Sequence, residues 1–182
     1  FQYLVGEDGL IEEFGEFSSI EAPLVNFNDV VLPDAVRSQL ETLIQPERCG
    51  RWHTEWGLDQ VIPYGRGVMV LFYGPPGTGK TTTAHGIAQA MGCRILKVDI
   101  PTLLNHKEAG RFLPGLFREA HLQNCILLFD ECDMLLADRM QGNQILSQLL
   151  GELERFEGLA ILTTNLPDII DPAVERRLLL RI

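Results

Sequence analysis

The chain has 182 residues, of which 46% are hydrophobic and 22% charged, an ordinary balance for a globular domain with one sizeable core. The formal net charge of −10 argues against broad binding to nucleic acid or to an anionic membrane, because neutralising phosphates needs clustered Lys and Arg. No apolar stretch approaches the roughly 18 residues of a membrane-spanning helix, so we expect no membrane partner.

The cysteines and histidines are scattered along the chain without the spacing of a metal site. The cysteines are Cys49, Cys93, Cys125 and Cys132, and no pair of them forms a C-x-x-C motif. Cys125 and Cys132 flank an apolar run that is predicted to be a buried strand. We therefore expect reduced core thiols, a cytoplasmic protein and no transition metal held by the protein alone.

The first 25 residues combine glycines, a proline and many acids with only short apolar runs. This composition indicates a linker or the remnant of an N-terminal domain, with short strands expected at Phe1–Val5 and Leu10–Phe14. A helix is predicted over Pro33–Ile44, because its apolar residues recur at helical spacing. Residues 47–67 are predicted to form loops or short helices, since Trp, Pro and Gly recur there without a regular period.

An apolar run of strand length, Val68–Tyr73, leads into a glycine-rich loop that satisfies the pattern G-x-x-x-x-G-K-[ST]. The loop residues are Gly74, Pro75, Pro76, Gly77, Thr78, Gly79, Lys80 and Thr81. The segment after it, Thr82–Met91, is predicted to be a helix closed by Gly92. Glycines let successive N–H groups point at an anion, and the helix N-terminus adds the positive end of its dipole. This strand–loop–helix context predicts a nucleoside triphosphate, with Lys80 on its β- and γ-phosphates and Thr81 on Mg²⁺.

The rest of the chain alternates predicted strands with predicted helices. The strands are at 94–99, 125–129, 159–163 and 178–182, and the helices are at 101–104, 112–120, 143–156 and 171–175. The run at 125–129 is apolar throughout and ends in two acids, which is typical of a strand buried on both faces. The alternation predicts a parallel sheet of about five strands with helices on both faces.

Polar residues end three of these strands and are expected to meet at one crevice, because ligands of such sheets bind beyond the carboxyl ends of the strands. Asp130 is expected to hold Mg²⁺ through water, and Glu131 to polarise an attacking water. Asn165 is expected to orient that water or to touch the γ-phosphate. The same polar residues also occur where a strand simply ends or an ordinary turn begins, without any catalytic role. For Asn165 this structural explanation is the stronger of the two.

Four segments, taken in order, resemble Walker A, Walker B, sensor 1 and the arginine-finger segment of AAA+ ATPases. They are Gly74–Thr81, Leu127–Glu131, Thr163–Pro167 and Asp171–Arg177. The resemblance covers roughly residues 27–182 and is closest to the AAA group proper. It implies a three-layer P-loop NTPase fold with a five-stranded parallel sheet in the order 5-1-4-3-2, and ATP and Mg²⁺ as cofactors. It divides the chain into residues 1–25 and a large α/β ATPase subdomain over residues 26–182.

The same resemblance implies roles that periodicity does not give. Arg176 and Arg177 would be arginine fingers that act on the ATP of a neighbouring subunit, so the working unit would be a ring, by family precedent a hexamer. Two surface arginines at a helix C-terminus are the plain alternative. Thr82 would join the nucleotide-binding loop, and Val30 and Val31 would line the adenine pocket.

Three features depart from the family pattern. Family members that unfold proteins carry an aromatic–hydrophobic–Gly pore loop after the second strand. The corresponding residues 105–110 contain no Phe, Tyr or Trp, and the segment is about two residues shorter than in the family. The segment at 138–143 is also short, and we expect the helical lid, which should begin near Ile182, to be absent from this chain. Either residues of both exposed loops are missing from this sequence, or the pore loop that grips a substrate has been lost.

The sequence is compatible with three functions. The leading hypothesis is an ATPase that couples hydrolysis to remodelling or disassembly of an unknown protein substrate. The second is an ATP-dependent assembly or scaffold module with slow hydrolysis, which the missing pore aromatic favours. A DNA-directed loader is the third and weakest, because the net charge of −10 makes a nucleic-acid partner unlikely in this chain.

Overall fold

Strands and helices alternate along the part of the chain that the structure, a computed structural model, describes: residues 14–45, 67–137, 142–166 and 170–182. The strands are β1 (Ser18–Glu21), β2 (Val68–Tyr73), β3 (Arg94–Asp99), β4 (Cys125–Asp130), β5 (Leu159–Thr164) and β6 (Leu180–Arg181). The α-helices are α1 (Asp34–Ile44), α2 (Lys80–Met91), α3 (Ile100–Asn105), α4 (Ala109–Leu122), α5 (Asp133–Ala137), α6 (Gly142–Leu153) and α7 (Pro172–Glu175), and a 3-10 turn over Phe27–Asp29 precedes α1. None of these helices is both long and apolar enough to cross a membrane.

The strands form one sheet in the order β1-β3-β4-β5-β2-β6. All pairs from β3 to β6 are parallel, and β2 and β5 pair along their whole length, from Val68 opposite Leu159 to Tyr73 opposite Thr164. The predicted sheet of five parallel strands is therefore present within it. The prediction was one strand short, because β1 adds an antiparallel strand to the edge of β3.

That additional strand lies in the segment expected to be a linker, and this expectation is corrected for residues 18–21. Ser18–Glu21 is only four residues long and mostly polar, so the sequence offers no period from which to predict it. Phe14 and Phe17 anchor the segment, since both rings are buried against the core. The strands expected at Phe1–Val5 and Leu10–Phe14 lie outside the described residues, apart from Phe14, which is not in a strand.

Helices cover both faces of the sheet and make a three-layer sandwich. One apolar cluster joins α1 and α2 to the face of the sheet that carries Val70, Leu128 and Ile161. A second cluster joins α3, α4, α5 and α6 to the opposite face, which carries Leu71 and Phe129. The central strands are buried on both faces, as their continuous apolar runs predict.

Several predicted boundaries needed correction. Helix α4 begins at Ala109 and not at residue 112, and Pro114 lies inside it, because its apolar stripe packs on the core and outweighs the local cost of proline. The exposed loop expected at 105–111 is reduced to residues 106–108 between α3 and α4. The last strand holds two residues and not five. The loop at 47–67, except Gly67, and most of the short segment at 138–143 fall outside the described residues.

A pair of helical glycines gives a test of this packing. A Cβ at Gly86 of α2 would lie 2.9 Å from Val30 Cγ2 and 3.1 Å from the backbone of Phe27, whereas a Cβ at Gly151 of α6 would meet nothing within 4 Å. Gly86→Ala should therefore lower the free energy of unfolding by about 1–3 kcal/mol through overpacking. Gly151→Ala should raise it by roughly 0.5–1 kcal/mol through helix propensity. Urea titrations followed by circular dichroism measure both, and equal effects at the two sites would contradict the packing described.

Candidate nucleotide-binding site

The glycine-rich loop begins where β2 leaves the sheet. The N–H of Gly74 donates to the carbonyl of Thr164 at 3.2 Å, which fixes the start of the loop beside the end of β5. Gly77 and Gly79 have φ of 80° and 87°, a conformation in which any other L-residue is strained. Open space lies where their side chains would be, so an anion can approach the backbone there. Gly79 caps α2, whose N-terminus therefore faces the loop.

Lys80 joins this loop to the end of β5. Its Nζ donates to the carbonyls of Gly74 at 2.6 Å and Pro75 at 3.0 Å, and to Oδ1 of Asn165 at 2.9 Å. Lys80 and Asn165 are 85 positions apart, and the sheet brings them together as predicted. Thr81 is half-buried in the first turn of α2 and Thr82 is exposed beside it. The amine and the loop amides thus surround one space beyond the ends of β2 and β5.

Asp130 ends β4 with both carboxylate oxygens engaged. Oδ1 accepts from the Thr163 hydroxyl at 2.6 Å, and Oδ2 lies 3.0 Å from Nζ of Lys97 on β3. Burial raises the pKa of Asp130, but the bonds from Thr163 and Lys97 and the charge of Lys97 outweigh it, so the net pKa is lowered. Burial likewise lowers the pKa of Lys97, and Asp130 reverses this to a net rise. Both groups are therefore charged at neutral pH.

Glu131 has an unusual backbone for its residue type. Its φ of 56° lies in the left-handed region, which costs a non-glycine residue about 1 kcal/mol or more. Its N–H donates to Thr163 Oγ1 at 3.0 Å, so the hydroxyl that holds Asp130 also holds this strained turn. The side chain of Glu131 is exposed, whereas that of Asp130 is partly buried. An exposed carboxylate next to Asp130 can accept a proton from water at the site.

Asp133, in the first turn of α5, is a site residue that the sequence reasoning missed. Its Oδ1 accepts from the Thr164 hydroxyl and from the N–H of Asn165 at 2.6 Å, and its Oδ2 accepts from Asn165 Nδ2 at 3.0 Å. The side-chain amide of Asn165 is thereby oriented, with its nitrogen toward Asp133 and its oxygen toward Lys80. The sequence indicates Asp133 only as an acid in the first turn of a helix, three residues after Asp130. Acids are common in that position for a different reason, because they interact favourably with the helix dipole.

The donors at this edge suit a hard divalent cation held jointly with phosphate. Within residues 14–45, 67–137, 142–166 and 170–182, no group of three His, Cys, Asp or Glu side chains could hold a metal ion alone. The Thr81 hydroxyl and the Asp130 carboxylate are oxygen donors of the kind that Mg²⁺ takes, usually in small numbers beside waters and phosphate oxygens. The cysteines in these ranges are free thiols, and burial raises the pKa of the Cys132 thiol, which keeps it unreactive.

The two residues expected beside adenine differ in accessibility. Val30 is buried against Gly86 of α2, and its carbonyl accepts from the Arg37 guanidinium. Val31 is 96% exposed, so its side chain is available to a ligand. A contact of either residue with adenine stays a prediction.

Arg176 and Arg177 lie at the other end of the sheet from the loop. The N–H of Leu179 donates to the carbonyl of Met69, the second residue of β2, so the pair lies near the amino ends of the strands. The P-loop follows the carboxyl end of β2, and a six-residue strand spans about 20 Å. Arg177 Nε donates to Glu154 Oε1 at 2.8 Å, while Arg176 Nε donates to the carbonyl of Pro172 at 3.1 Å. Both side chains are exposed.

A glycine-rich loop between β2 and α2, an acidic end on β4 and helices on both faces of a parallel sheet define the P-loop NTPase fold. The sequence profile of the ATPase family associated with various cellular activities (AAA) matches residues 70–182. The chain is 34% identical over 184 residues to the protein CdcH of Halobacterium salinarum, covering 91% of this chain and 25% of that protein. It is 33% identical over 172 residues to the ATPase family gene 2 protein of Schizosaccharomyces pombe, covering 86% of this chain and 20% of that protein.

A solved structure of the FIGL-1 AAA domain in complex with ADP superposes on 97% of this chain and 61% of that chain with a TM-score of 0.71. At 24% sequence identity this likeness shows the fold. The chain belongs to the AAA family of ATPases, which confirms the family, the fold class and the ATPase class predicted from its motifs. It spans only 25% and 20% of the length of the two curated relatives named above.

The contacts of Asp133 predict a pH dependence of stability. Burial raises the pKa of Asp133, but its hydrogen bonds from Thr164 and Asn165 outweigh burial and lower it below the ordinary value of 3.8. Since the folded pKa is lowered, this carboxylate stabilises the fold above pH 3.8 and ceases to do so as the pH falls through its folded pKa. Asp133→Asn should therefore flatten the loss of unfolding free energy below about pH 4, measured by urea titration at several pH values.

Glu108→Gln is the matched control, because Glu108 pairs with Arg111 at 3.4 Å on the exposed surface, away from Asn165. This control should keep the wild-type slope. A wild-type slope in Asp133→Asn as well would show that Asp133 does not hold the end of β5 in the manner described.

Proposed function

We propose that this chain is the large α/β module of a AAA protein, and that it binds Mg²⁺-ATP and hydrolyses it to drive remodelling or disassembly of a protein substrate. The observation that carries the proposal is the meeting of Lys80, Asp130, Glu131 and Asn165 at one edge of the sheet. Lys80 is the first residue of α2, and the other three groups lie at the ends of β4 and β5. Each type of side chain suits one task in phosphoryl transfer.

The amides of Gly74–Thr81 and the Lys80 amine would hold the phosphates, and Thr81 and Asp130 would hold the metal. Mg²⁺ supplies charge neutralisation of the phosphate oxygens when it is bound. Glu131 accepts the proton of the attacking water, since its carboxylate is exposed beside Asp130. Asn165 Oδ1, which accepts from Lys80 in this structure, orients that water once Lys80 turns to the phosphates. Asp133 keeps the amide in the required orientation.

Glu131→Gln tests the assignment of the base. The amide keeps the size of the side chain but cannot take a proton, so turnover should fall by at least about 100-fold, the lower range for general-base catalysis. Nucleotide affinity should stay within about threefold of wild type, because Glu131 makes no phosphate contact in this scheme. A phosphate-release assay and a titration with a fluorescent ATP analogue measure the two quantities. Normal turnover in the variant would remove Glu131 from the mechanism.

The position of the arginine pair supports action on a neighbouring subunit. Because Arg176 and Arg177 precede β6 at the amino ends of the strands, they cannot reach the P-loop of their own chain without unfolding the sheet. Arg177 is paired with Glu154, whereas the exposed side chain of Arg176 donates from Nε to the carbonyl of Pro172. We assign the finger to Arg176 first and give Arg177 the task of fixing the turn that presents it. A ring, of six subunits by family precedent, is the assembly that this requires.

Mixing two inactive variants tests a site shared between subunits. Lys80→Ala should not bind nucleotide but still donates Arg176, and Arg176→Ala binds nucleotide but lacks the finger. Each variant alone should be inactive, and mixed assemblies should regain turnover at interfaces where an intact P-loop meets an intact arginine. Phosphate release across mixing ratios measures this. Activity that never exceeds the sum of the two separate variants would contradict a finger acting in trans.

A slow-hydrolysing assembly module is the second candidate, and the segment after β3 favours it. His106 packs on the rings of Phe112 at 4.9 Å and Phe17 at 6.2 Å between centroids, so this connection folds back onto the core. Members of the family that thread substrates are expected to project an aromatic residue from this segment. Two results together would favour this second candidate. The protein would assemble in the presence of ATP, and an added unfolded protein would not increase its rate of ATP turnover.

A further inference from the structure

Lys97 is a charged residue in the interior of a strand that is otherwise largely buried. It lies on the same face of β3 as Ile95, which is fully buried, and it is paired in register with the buried Leu128 of β4. A lysine side chain on such a face needs a partner, because an uncompensated charge there is costly. The sequence holds three lysines, Lys80, Lys97 and Lys107, and two of them end at the nucleotide-binding edge.

The partner of Lys97 is the carboxylate expected to face the metal. Its Nζ is 3.0 Å from Asp130 Oδ2, with side-chain exposures of 32% for the lysine and 17% for the aspartate. The second oxygen of Asp130 is held by Thr163 at 2.6 Å. The contact is therefore a partly buried ion pair between the interior of β3 and the end of the neighbouring parallel strand β4. Ion pairs in such positions are stronger than surface pairs.

Other acids near Lys97 are engaged elsewhere. Glu21 of β1 accepts from the Ser19 hydroxyl at 2.9 Å and lies 3.5 Å from His85 Nε2 of α2. Asp99 accepts from the N–H of Thr102 at 2.9 Å as the cap of α3. In the described residues, Asp130 is the acid that forms an ion pair with Lys97, at 3.0 Å.

We propose that Lys97 is a further positioning residue of the nucleotide site, which neutralises and orients Asp130 whenever the metal is not bound. The inference rests on the proposed function, since it requires that the loop binds a triphosphate beside Asp130. Without Lys97, Asp130 would repel a metal-free triphosphate, whereas bound Mg²⁺ offsets the same charge by itself. Lys97 thus sets how strongly nucleotide binding depends on the metal.

Lys97→Met tests this, because methionine keeps most of the length of the side chain and removes its charge. The affinity of the intact protein for a fluorescent ATP analogue is titrated in EDTA and in Mg²⁺. In EDTA the dissociation constant should rise at least about tenfold, as expected when a hydrogen bond to a charged group is lost. In Mg²⁺ it should change by less than about threefold, because the ion then neutralises Asp130.

Two further variants separate this role from packing. Lys97→Arg keeps the charge and the donors, so it should restore binding in EDTA to within about threefold of wild type. Lys107→Met removes an exposed lysine on the turn before α4 and should change neither titration. Equal weakening in EDTA and in Mg²⁺, or no weakening in either, would overturn the proposal. A wild-type protein that binds no nucleotide under either condition would instead refute the proposed function.

Asp130→Asn carries the test if Lys97→Met does not fold. The amide removes the negative charge that Lys97 is proposed to offset, so metal-free nucleotide should bind at least as tightly as it does to wild type. In the double variant Lys97→Met/Asp130→Asn, binding in EDTA should return toward the wild-type value. The proposal would be overturned if Asp130→Asn bound nucleotide in EDTA more weakly than wild type does. It would also be overturned if binding in EDTA stayed weak in the double variant.

Discussion

The parallel strands of the sheet end at one level, and the site depends on that alignment. Tyr73 pairs with Thr164, and Asp99 pairs with Asp130, so the first polar residues after each buried run come out at the same edge. The strands consist of apolar residues because helices bury both faces of the sheet. The register of the backbone hydrogen bonds determines which residues lie side by side where the strands end. A slip of one residue in β4 would move Asp130 to the other face of the sheet and separate it from Thr163.

The Thr163 hydroxyl turns this alignment into a defined geometry. It is almost fully buried, donates to Asp130 and accepts from the N–H of Glu131. One hydroxyl therefore holds the carboxylate that is proposed to face the metal and the strained residue that follows it. A buried network of this kind is rigid only when each member is satisfied, which ties the two acids to β5 as much as to β4.

The sequence predicts those parts of the site whose residues are neighbours along the chain. The loop at Gly74–Thr81 and the pair Asp130–Glu131 carry their chemistry in consecutive residues, so their patterns are visible without a fold. Lys97 and Asp133 act through contacts with residues about 30 positions away, and locally each has an ordinary explanation, a polar residue in a strand and an acid at a helix start. The same limit explains β1, because a four-residue strand with mixed polarity is specified by the edge it joins.

The strand β1 also changes what the edge of this sheet presents to other molecules. Without it, the outer side of β3 would offer unpaired N–H and C=O groups along Ile95–Val98, next to a large buried apolar face. Open edges of that length are templates for pairing with another chain. A protein shortened to begin at residue 26 would keep every residue of the nucleotide site and yet lose this cover, together with the anchoring rings of Phe14 and Phe17. The first expected consequence is association with other chains through the exposed edge of β3.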